Sequence, residues 1–250
     1  MEAAKRGIHL NGGIAIDFPT ISLHEGFSHP TSMFMRNLMG MDTEEMIRAQ
    51  PVDACIMIGD CRNNWASFRA GAIDVEGIAA INEELASTIG TCGVMGTVST
   101  MACITAALGL IPPQGASAPA VSAARLQIAE QTGANAVAAA QSHMVPQTIL
   151  PAGSFYNAAT LLQAIGGSTN AMVHLMAIIN RHPDPKGSIN LETLDDIGRR
   201  TPLLVDLKPS GDNYMTDFHN AGGMLCLLHR QKPLLHLSAN CLRRNPWGGS

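Results

Sequence analysis

Short apolar runs alternate with helix-like stretches along this chain, and this alternation constrains the fold more than any other feature. Runs of the strand type lie at 14–16, 21–23, 52–58 and 203–207, and turn residues bound them. Strands that are separated by helices are typical of proteins with a parallel sheet. We therefore predict an α/β fold, a mostly parallel sheet with helices on both faces. The run 52–58 is predicted as an inner strand with Cys55 in the core.

Apolar residues with helical spacing fill much of the remaining chain. Glycine and proline mark several of the predicted helix ends, as at Gly109 and Pro112. The pattern predicts helices over 32–39, 42–50, 74–89, 98–108, 120–132, 135–142, 155–165, 171–179, 191–198 and 224–228.

Composition limits the partners that this chain can have. Its 250 residues suffice for one large domain or two small ones. A net charge of -4 without a basic cluster, together with 4% aromatic residues, argues against nucleic acid as the main partner. Every apolar run is interrupted before it reaches membrane-spanning length, so we predict no membrane segment.

The cysteines indicate a reducing compartment. The six of them, at 55, 61, 92, 103, 226 and 241, form no CxxC pair and no disulfide framework. The first residues lack the apolar core and cleavage site of a signal peptide. We therefore expect a cytoplasmic protein, with the mitochondrion as the alternative.

Residues 90–101 place Cys92 among glycines and hydroxyl side chains, directly before a predicted helix. Glycines at 90, 93 and 96 permit a close approach of the backbone. The N–H groups of the first helical turn favour a negative group nearby, and hence the thiolate form of the cysteine. The residues alone leave two interpretations open, a small buried cysteine in a tight loop, and a nucleophile or metal ligand.

Two other polar clusters are also ambiguous. Glu25 lies between His24 and His29, which describes either a solvated turn or an oxygen ligand for a hard cation. Ser168, Thr169 and Asn170 precede an apolar helix, where Ser168 can be an N-cap or the three side chains can bind an anion or a hydroxyl.

Four segments of this sequence, taken in order, resemble the dihydroxy-acid dehydratase and phosphogluconate dehydratase family, and most of all its sugar-acid (arabinonate-type) branch. These segments are 17–25, 90–101, 166–175 and 206–211, and the resemblance covers nearly all of residues 3–237. The family consists of iron–sulfur hydro-lyases that convert 2,3-dihydroxy acids into 2-keto-3-deoxy acids. The resemblance implies a small hydroxy acid as substrate, an iron–sulfur cluster ([2Fe–2S] or [4Fe–4S]) and Mg²⁺ as cofactors, and a homo-oligomer.

The resemblance also assigns roles to individual residues. Cys92 matches one of the cysteine ligands of the cluster, and Glu25 matches a Mg²⁺ ligand. Ser168, Thr169 and Asn170 match part of the wall of the substrate pocket. In the family the cluster acts as a Lewis acid on the departing 3-hydroxyl, while Mg²⁺ holds the carboxylate and the 2-hydroxyl.

This chain departs from the family pattern after residue 59. The family has a Gly-Cys-Asp-Lys-Thr motif there, whereas this chain continues directly with Asp60 and Cys61. We predict that an internal segment is missing at 59/60, and with it a cluster cysteine and an Asp–Lys pair for Mg²⁺. Cys61 is a weak candidate for a replacement ligand.

The matching region is predicted to be one dehydratase-family N-terminal domain over 1–238, followed by a disordered tail over 239–250 that lies outside the family pattern. The catalytic serine belongs to the family's C-terminal domain, so no catalytic residue is assigned. The main hypothesis is a hydro-lyase fragment that is inactive alone. The alternative is a non-catalytic α/β remnant that associates with intact homologues.

Overall fold

The computed structural model describes residues 1–21, 35–59, 90–184 and 189–239, and α-helices dominate these residues. The two short 3₁₀ turns are Pro113–Ala116 and Lys232–Leu234. The helices are α1 (Glu2–Leu10), α2 (Arg36–Ala49), α3 (Thr97–Ala107), α4 (Ala123–Gln141), α5 (Pro146–Ile149), α6 (Ala152–Ala164), α7 (Thr169–Arg181), α8 (Leu191–Arg200), α9 (Met215–Asn220) and α10 (Gly223–Gln231).

The predicted parallel sheet is wrong for the residues that the structure describes. Among them the strand-type pairing is limited to an isolated bridge between Leu207 and Asn213. The predicted inner strand 52–58 is irregular, and its Met57 and Ile58 are 70% and 63% exposed. Cys55 is exposed as well, so its predicted core position is also wrong.

The predicted strands do not form because these segments have no neighbouring strand among the described residues. A strand is stable when a neighbouring strand satisfies its N–H and C=O groups. Within the described ranges, 14–16, 52–58 and 203–207 do not pair with one another. Apolar composition alone therefore did not produce strands.

The predicted helices agree with the structure better than the predicted strands do. Helices α3, α6, α7, α8 and α10 coincide with predicted stretches to within a few residues. Helix α4 merges two predicted helices, and α2 continues through Asp42, where a new helix was predicted to begin. Helix α1 was not predicted. The predicted helix 74–89 lies outside the described residues, as do parts of the predicted helix 32–39 and of the run 21–23.

Helix α6 is the centre of the fold. Most of its residues are buried, including Phe155, Leu161 and Leu162, and α3, α7 and α8 pack against it. Burial of each such side chain stabilises the fold by about 1.5–3 kcal/mol. A helix that is buried on nearly every side requires other helices around it.

Polar side chains on α6 form hydrogen bonds within the protein. The Asn157 side chain accepts a hydrogen bond from the His236 backbone N–H (2.7 Å) and donates one to the His236 carbonyl (3.2 Å). The Thr160 hydroxyl donates to the Tyr156 carbonyl at 2.9 Å. The two Asn157 bonds attach the segment after α10 to the central helix, and all three bonds offset the cost of burying polar side chains.

Helices α1 and α4 cross at two glycines. A Cβ added to Gly7 would fall on the backbone carbonyl of Glu130, and one added to Gly133 would fall on the carbonyl of Ala4. The two backbones therefore touch at a distance that no other residue type allows.

No helix in the described part of the chain is long and apolar enough to cross a membrane.

We expect Gly133→Ala to lower the free energy of unfolding by about 1–3 kcal/mol, because the added methyl group overpacks the α1–α4 crossing. This loss outweighs the helix-propensity gain of roughly 1 kcal/mol. Gly40→Ala is the matched control, since a Cβ there has open space in an exposed helix. The control should be neutral or stabilising in urea unfolding. Equal effects of the two substitutions would contradict the close crossing.

Helix α2 contacts α7 through polar side chains. A guanidinium N–H of Arg36 lies 2.8 Å from His174 Nε2, and Arg181 donates to the Asn37 side chain at 2.9 Å. Because a guanidinium cannot accept a hydrogen bond, His174 must be neutral to accept this one. Burial lowers the pKa of His174 below its usual 6.5, and the charge of Arg36 lowers it further.

The α2–α7 contact should therefore weaken in acid. The unfolded chain binds a proton at His174 near pH 6.5, whereas the folded chain binds it only at lower pH. Stability is thus lost as the pH falls through the interval between 6.5 and the lowered folded pKa. We expect His174→Gln, which keeps an acceptor, to flatten this part of the stability–pH curve from urea unfolding. Arg36→Met should flatten it partly. Identical curves for His174→Gln and the wild type would contradict the prediction.

Candidate functional site

The loop that carries Cys92 (residues 90–96, the Cys92 loop) precedes helix α3 directly. Gly90 has a positive φ of 127°, and Gly96 is the N-cap of the helix. Cys92 is partly buried, and its Sγ would lie 3.6 Å from a Cβ built on Gly96. The thiol therefore lies beside the N-terminus of α3. This is the placement that the sequence predicted for the loop, while its role as a cluster ligand stays a prediction.

The three polar residues at 168–170 form the N-terminus of helix α7. Ser168 is the N-cap, and its hydroxyl accepts a hydrogen bond from the Asn170 N–H at 3.3 Å. Thr169 and Asn170 are exposed. The capping interpretation of Ser168 is therefore observed. Capping does not exclude the predicted pocket role, because the side chains of Thr169 and Asn170 still face solvent.

Hydroxyl groups connect this corner to the helix that follows the Cys92 loop. Thr97 Oγ1 lies 3.1 Å from Ser168 Oγ, and the Asn170 side chain donates to Thr97 Oγ1 at 3.4 Å. The buried Thr100 hydroxyl accepts from the Ser168 N–H at 3.1 Å and donates to the Gly96 carbonyl at 2.7 Å. The N-termini of α3 and α7 therefore meet, and both present positive helix dipole ends to the same region.

The turn between α6 and α7 can reach this position because it contains two glycines. Gly166 has a positive φ of 57°, and a Cβ on Gly167 would lie 2.6 Å from both Leu162 and Thr100. The turn thus packs directly on α3. In the motif 166–170, the two glycines allow the turn to pack on α3, and the last three residues supply polar side chains.

The described residues do not form a metal site by themselves. They bring together no group of three or more His, Cys, Asp and Glu side chains that could hold a metal ion. Cys103 is buried in α3, and burial raises its pKa to about 12, which makes it an unsuitable ligand. Cys55 and Cys226 are exposed on other segments. Cys92 fits a thiolate ligand, but it does not make a complete cluster site with these neighbours.

Two other predicted site residues, Glu25 and Cys61, lie outside the described residues. Their roles, as a Mg²⁺ ligand and as a weak candidate for a cluster ligand, stay predictions. Sequence reasoning missed Thr97 and Thr100 as the link between the two loops. Their spacing of three residues at a helix start was the available signal, since it places both hydroxyls on one face.

Comparison with known proteins identifies relatives of this chain. The family model for the dihydroxy-acid/6-phosphogluconate dehydratase N-terminal region matches residues 1–65 and 60–247. A 6-deoxy-6-sulfo-D-gluconate dehydratase of Pseudomonas putida is 30% identical over 98% of this chain and 49% of its own length. An L-arabonate dehydratase of Azospirillum brasilense is 35% identical over 92% of this chain and 46% of its own length.

A dihydroxy-acid dehydratase of Pyrococcus abyssi is also similar, with 29% identity over 93% of this chain and half of the relative. All these relatives are dehydratases, that is, hydro-lyases. The chain belongs to the dihydroxy-acid/6-phosphogluconate dehydratase family, which confirms the family that the four sequence segments indicated. It spans about half the length of the curated relatives it matches.

The hydroxyl link between α3 and α7 should be measurable in stability. Thr100→Val removes a buried acceptor from the Ser168 N–H, and we expect a loss of about 1–3 kcal/mol in the free energy of unfolding. Thr105→Val on the same helix is the matched control, because the Thr105 hydroxyl bonds only to its own helix among the described residues. The control should cost less than Thr100→Val in urea unfolding. Equal costs would contradict a link that stabilises the corner.

Proposed function

We propose that this chain contributes to a hydro-lyase that removes water from a 2,3-dihydroxy sugar acid and yields a 2-keto-3-deoxy acid. In this proposal Cys92 is an iron–sulfur ligand, Glu25 is a Mg²⁺ ligand, and Ser168, Thr169 and Asn170 form a wall of the substrate pocket. The names of the relatives support the class of substrate, since two of those described above act on sugar acids. The cluster, when bound, would supply Lewis-acid assistance to the departing hydroxyl.

The observation that carries the proposal is the meeting of the two loops. Cys92 and Ser168 are 76 residues apart in sequence, yet their helices begin side by side through the Thr97–Ser168 contact of 3.1 Å. Two helix N-termini favour a negatively charged group. A substrate carboxylate or the enolate that forms after proton loss carries this charge. The polar side chains at 168–170 can donate and accept hydrogen bonds to its hydroxyl groups.

We further propose that the chain as written is inactive. The described residues supply one suitable thiol, whereas an iron–sulfur cluster needs several converging thiolates. The family match falls into two pieces that overlap over residues 60–65, next to the predicted gap at 59/60. The alignment with the Pseudomonas putida relative runs over 288 residues, which exceeds the 250 of this chain. Both findings support a segment of the relatives that has no counterpart here.

Anaerobic reconstitution with iron and sulfide tests this proposal. We expect the purified chain to bind iron below stoichiometry, and to form no 2-keto-3-deoxy acid from arabinonate, gluconate or dihydroxyisovalerate above a control without protein. Cys92→Ser should lower the bound iron further, while Cys55→Ser, at an exposed position, serves as the matched control and should not. A stoichiometric cluster with turnover would contradict the proposed inactivity and would support Cys61 as a second ligand. Equal iron content in both variants would contradict the role of Cys92.

The alternative function, a non-catalytic partner of intact homologues, is favoured by one observation. Segments without regular secondary structure expose large apolar side chains, with Ile14 at 86%, Met57 at 70% and Leu203 at 65%. Such surfaces favour association. Mixing the chain with an intact L-arabonate dehydratase and measuring the complex by size-exclusion chromatography distinguishes the two functions, because only the alternative requires a stable mixed complex.

A further inference from the structure

The loop over 206–214 (the 206–214 loop) directly precedes helix α9, and the proposed function gives it no role. Two backbone bonds close the loop on itself, from the Lys208 N–H to the Asn213 carbonyl and from the Gly211 N–H to the Leu207 carbonyl, both 2.8 Å. The loop is therefore a compact unit of its own.

One pair of side chains completes this closure. The Asn213 amide donates to the Asp206 carbonyl at 3.0 Å and to the Asp206 carboxylate at 3.1 Å. A Cβ on Gly211 would fall on that carboxylate, so the loop packs tightly around Asp206. The Lys208 ammonium also donates to the Tyr214 hydroxyl at 2.8 Å, which joins the two ends of the loop.

Lys208 in this closed loop and Met215 directly after it bind the Cys92 loop. The Met95 N–H donates to the Lys208 carbonyl at 2.8 Å, and the Met215 N–H donates to the Gly93 carbonyl at 2.7 Å. Met95, Leu207 and Met215 are buried in the same apolar core. Because Gly93 is adjacent to Cys92, any movement of residues 208 and 215 relative to each other must displace the backbone that carries the thiol.

We infer that Asp206 and Asn213 are positioning residues for Cys92. Their hydrogen bonds hold the 206–214 loop closed, and the Cys92 loop is held by Lys208 of this loop and by Met215 directly after it. The role of Cys92 as a thiolate ligand of a cofactor, which this positioning would serve, rests on the proposed function. The mechanical coupling itself depends only on the contacts above.

The inference is tested on the full chain by two measurements that need no cofactor. The first is the alkylation rate of Cys92, followed by mass spectrometry with Cys55 as the internal reference. The second is hydrogen exchange at the Met95 and Met215 amides, with the amide of Leu108, the C-cap of α3, which is bonded to the Ile104 carbonyl, as the reference. We expect Asn213→Ala and Asp206→Ala to raise the alkylation rate and both exchange rates by roughly three- to tenfold, as the loss of surface hydrogen bonds allows local opening.

Two further variants separate positioning from general destabilisation. Asp212→Ala is the matched control, because Asp212 is an exposed neighbour in the same loop whose side chain makes no hydrogen bond to the described residues. It should leave all three rates unchanged. Asp206→Asn keeps a side-chain acceptor for Asn213 and should restore rates close to those of the wild type.

Unchanged rates in Asn213→Ala, or equal increases at the reference sites, would overturn the inference. Failure of Asp206→Asn to restore the rates would also overturn it, since an acceptor is then not what the loop needs. These outcomes are separate from those of the proposed function. If Cys92 is no cluster ligand, iron uptake is insensitive to Cys92→Ser, yet the alkylation and exchange changes persist.

Discussion

The burial of helix α6 on nearly every side is the constraint on which the described structure depends. An apolar helix of this kind cannot remain in water, so it requires α3, α7 and α8 as neighbours. Its polar residues then need partners inside the protein. Asn157 finds both of its partners in the backbone of His236, which fixes the chain after α10 on the same helix.

The packing on α6 also explains where the candidate site lies. Helices α3 and α7 contact each other as well as α6, and the glycine turn at 166–167 brings the start of α7 onto the first turns of α3. This packing brings together two helix N-termini and four side chains that bear a hydroxyl or an amide, those of Thr97, Thr100, Ser168 and Asn170. The 206–214 loop approaches the Cys92 loop through two backbone bonds. The site is thus assembled from three segments that are distant in sequence.

In contrast to α6, other apolar segments are exposed to solvent. Leu203 and Leu204 precede the 206–214 loop in a stretch without regular secondary structure, and the Leu204 N–H donates to the Ala164 carbonyl at the end of α6. This single bond does not replace a neighbouring strand.

The sequence by itself determined the family, the positions of most described helices and the local character of the site. Four motifs in order indicated the family, and the spacing of apolar residues located α3, α6, α7, α8 and α10, because helices form from contacts within one segment. The cysteine between glycines at a helix start was also visible in the sequence. Only the tertiary structure decided the rest. An apolar run such as 52–58 becomes a strand only when a distant partner pairs with it, and the meeting of Thr97 with Ser168 or of Met95 with Lys208 depends on how helices pack around α6. Neither dependence can be read from a local pattern.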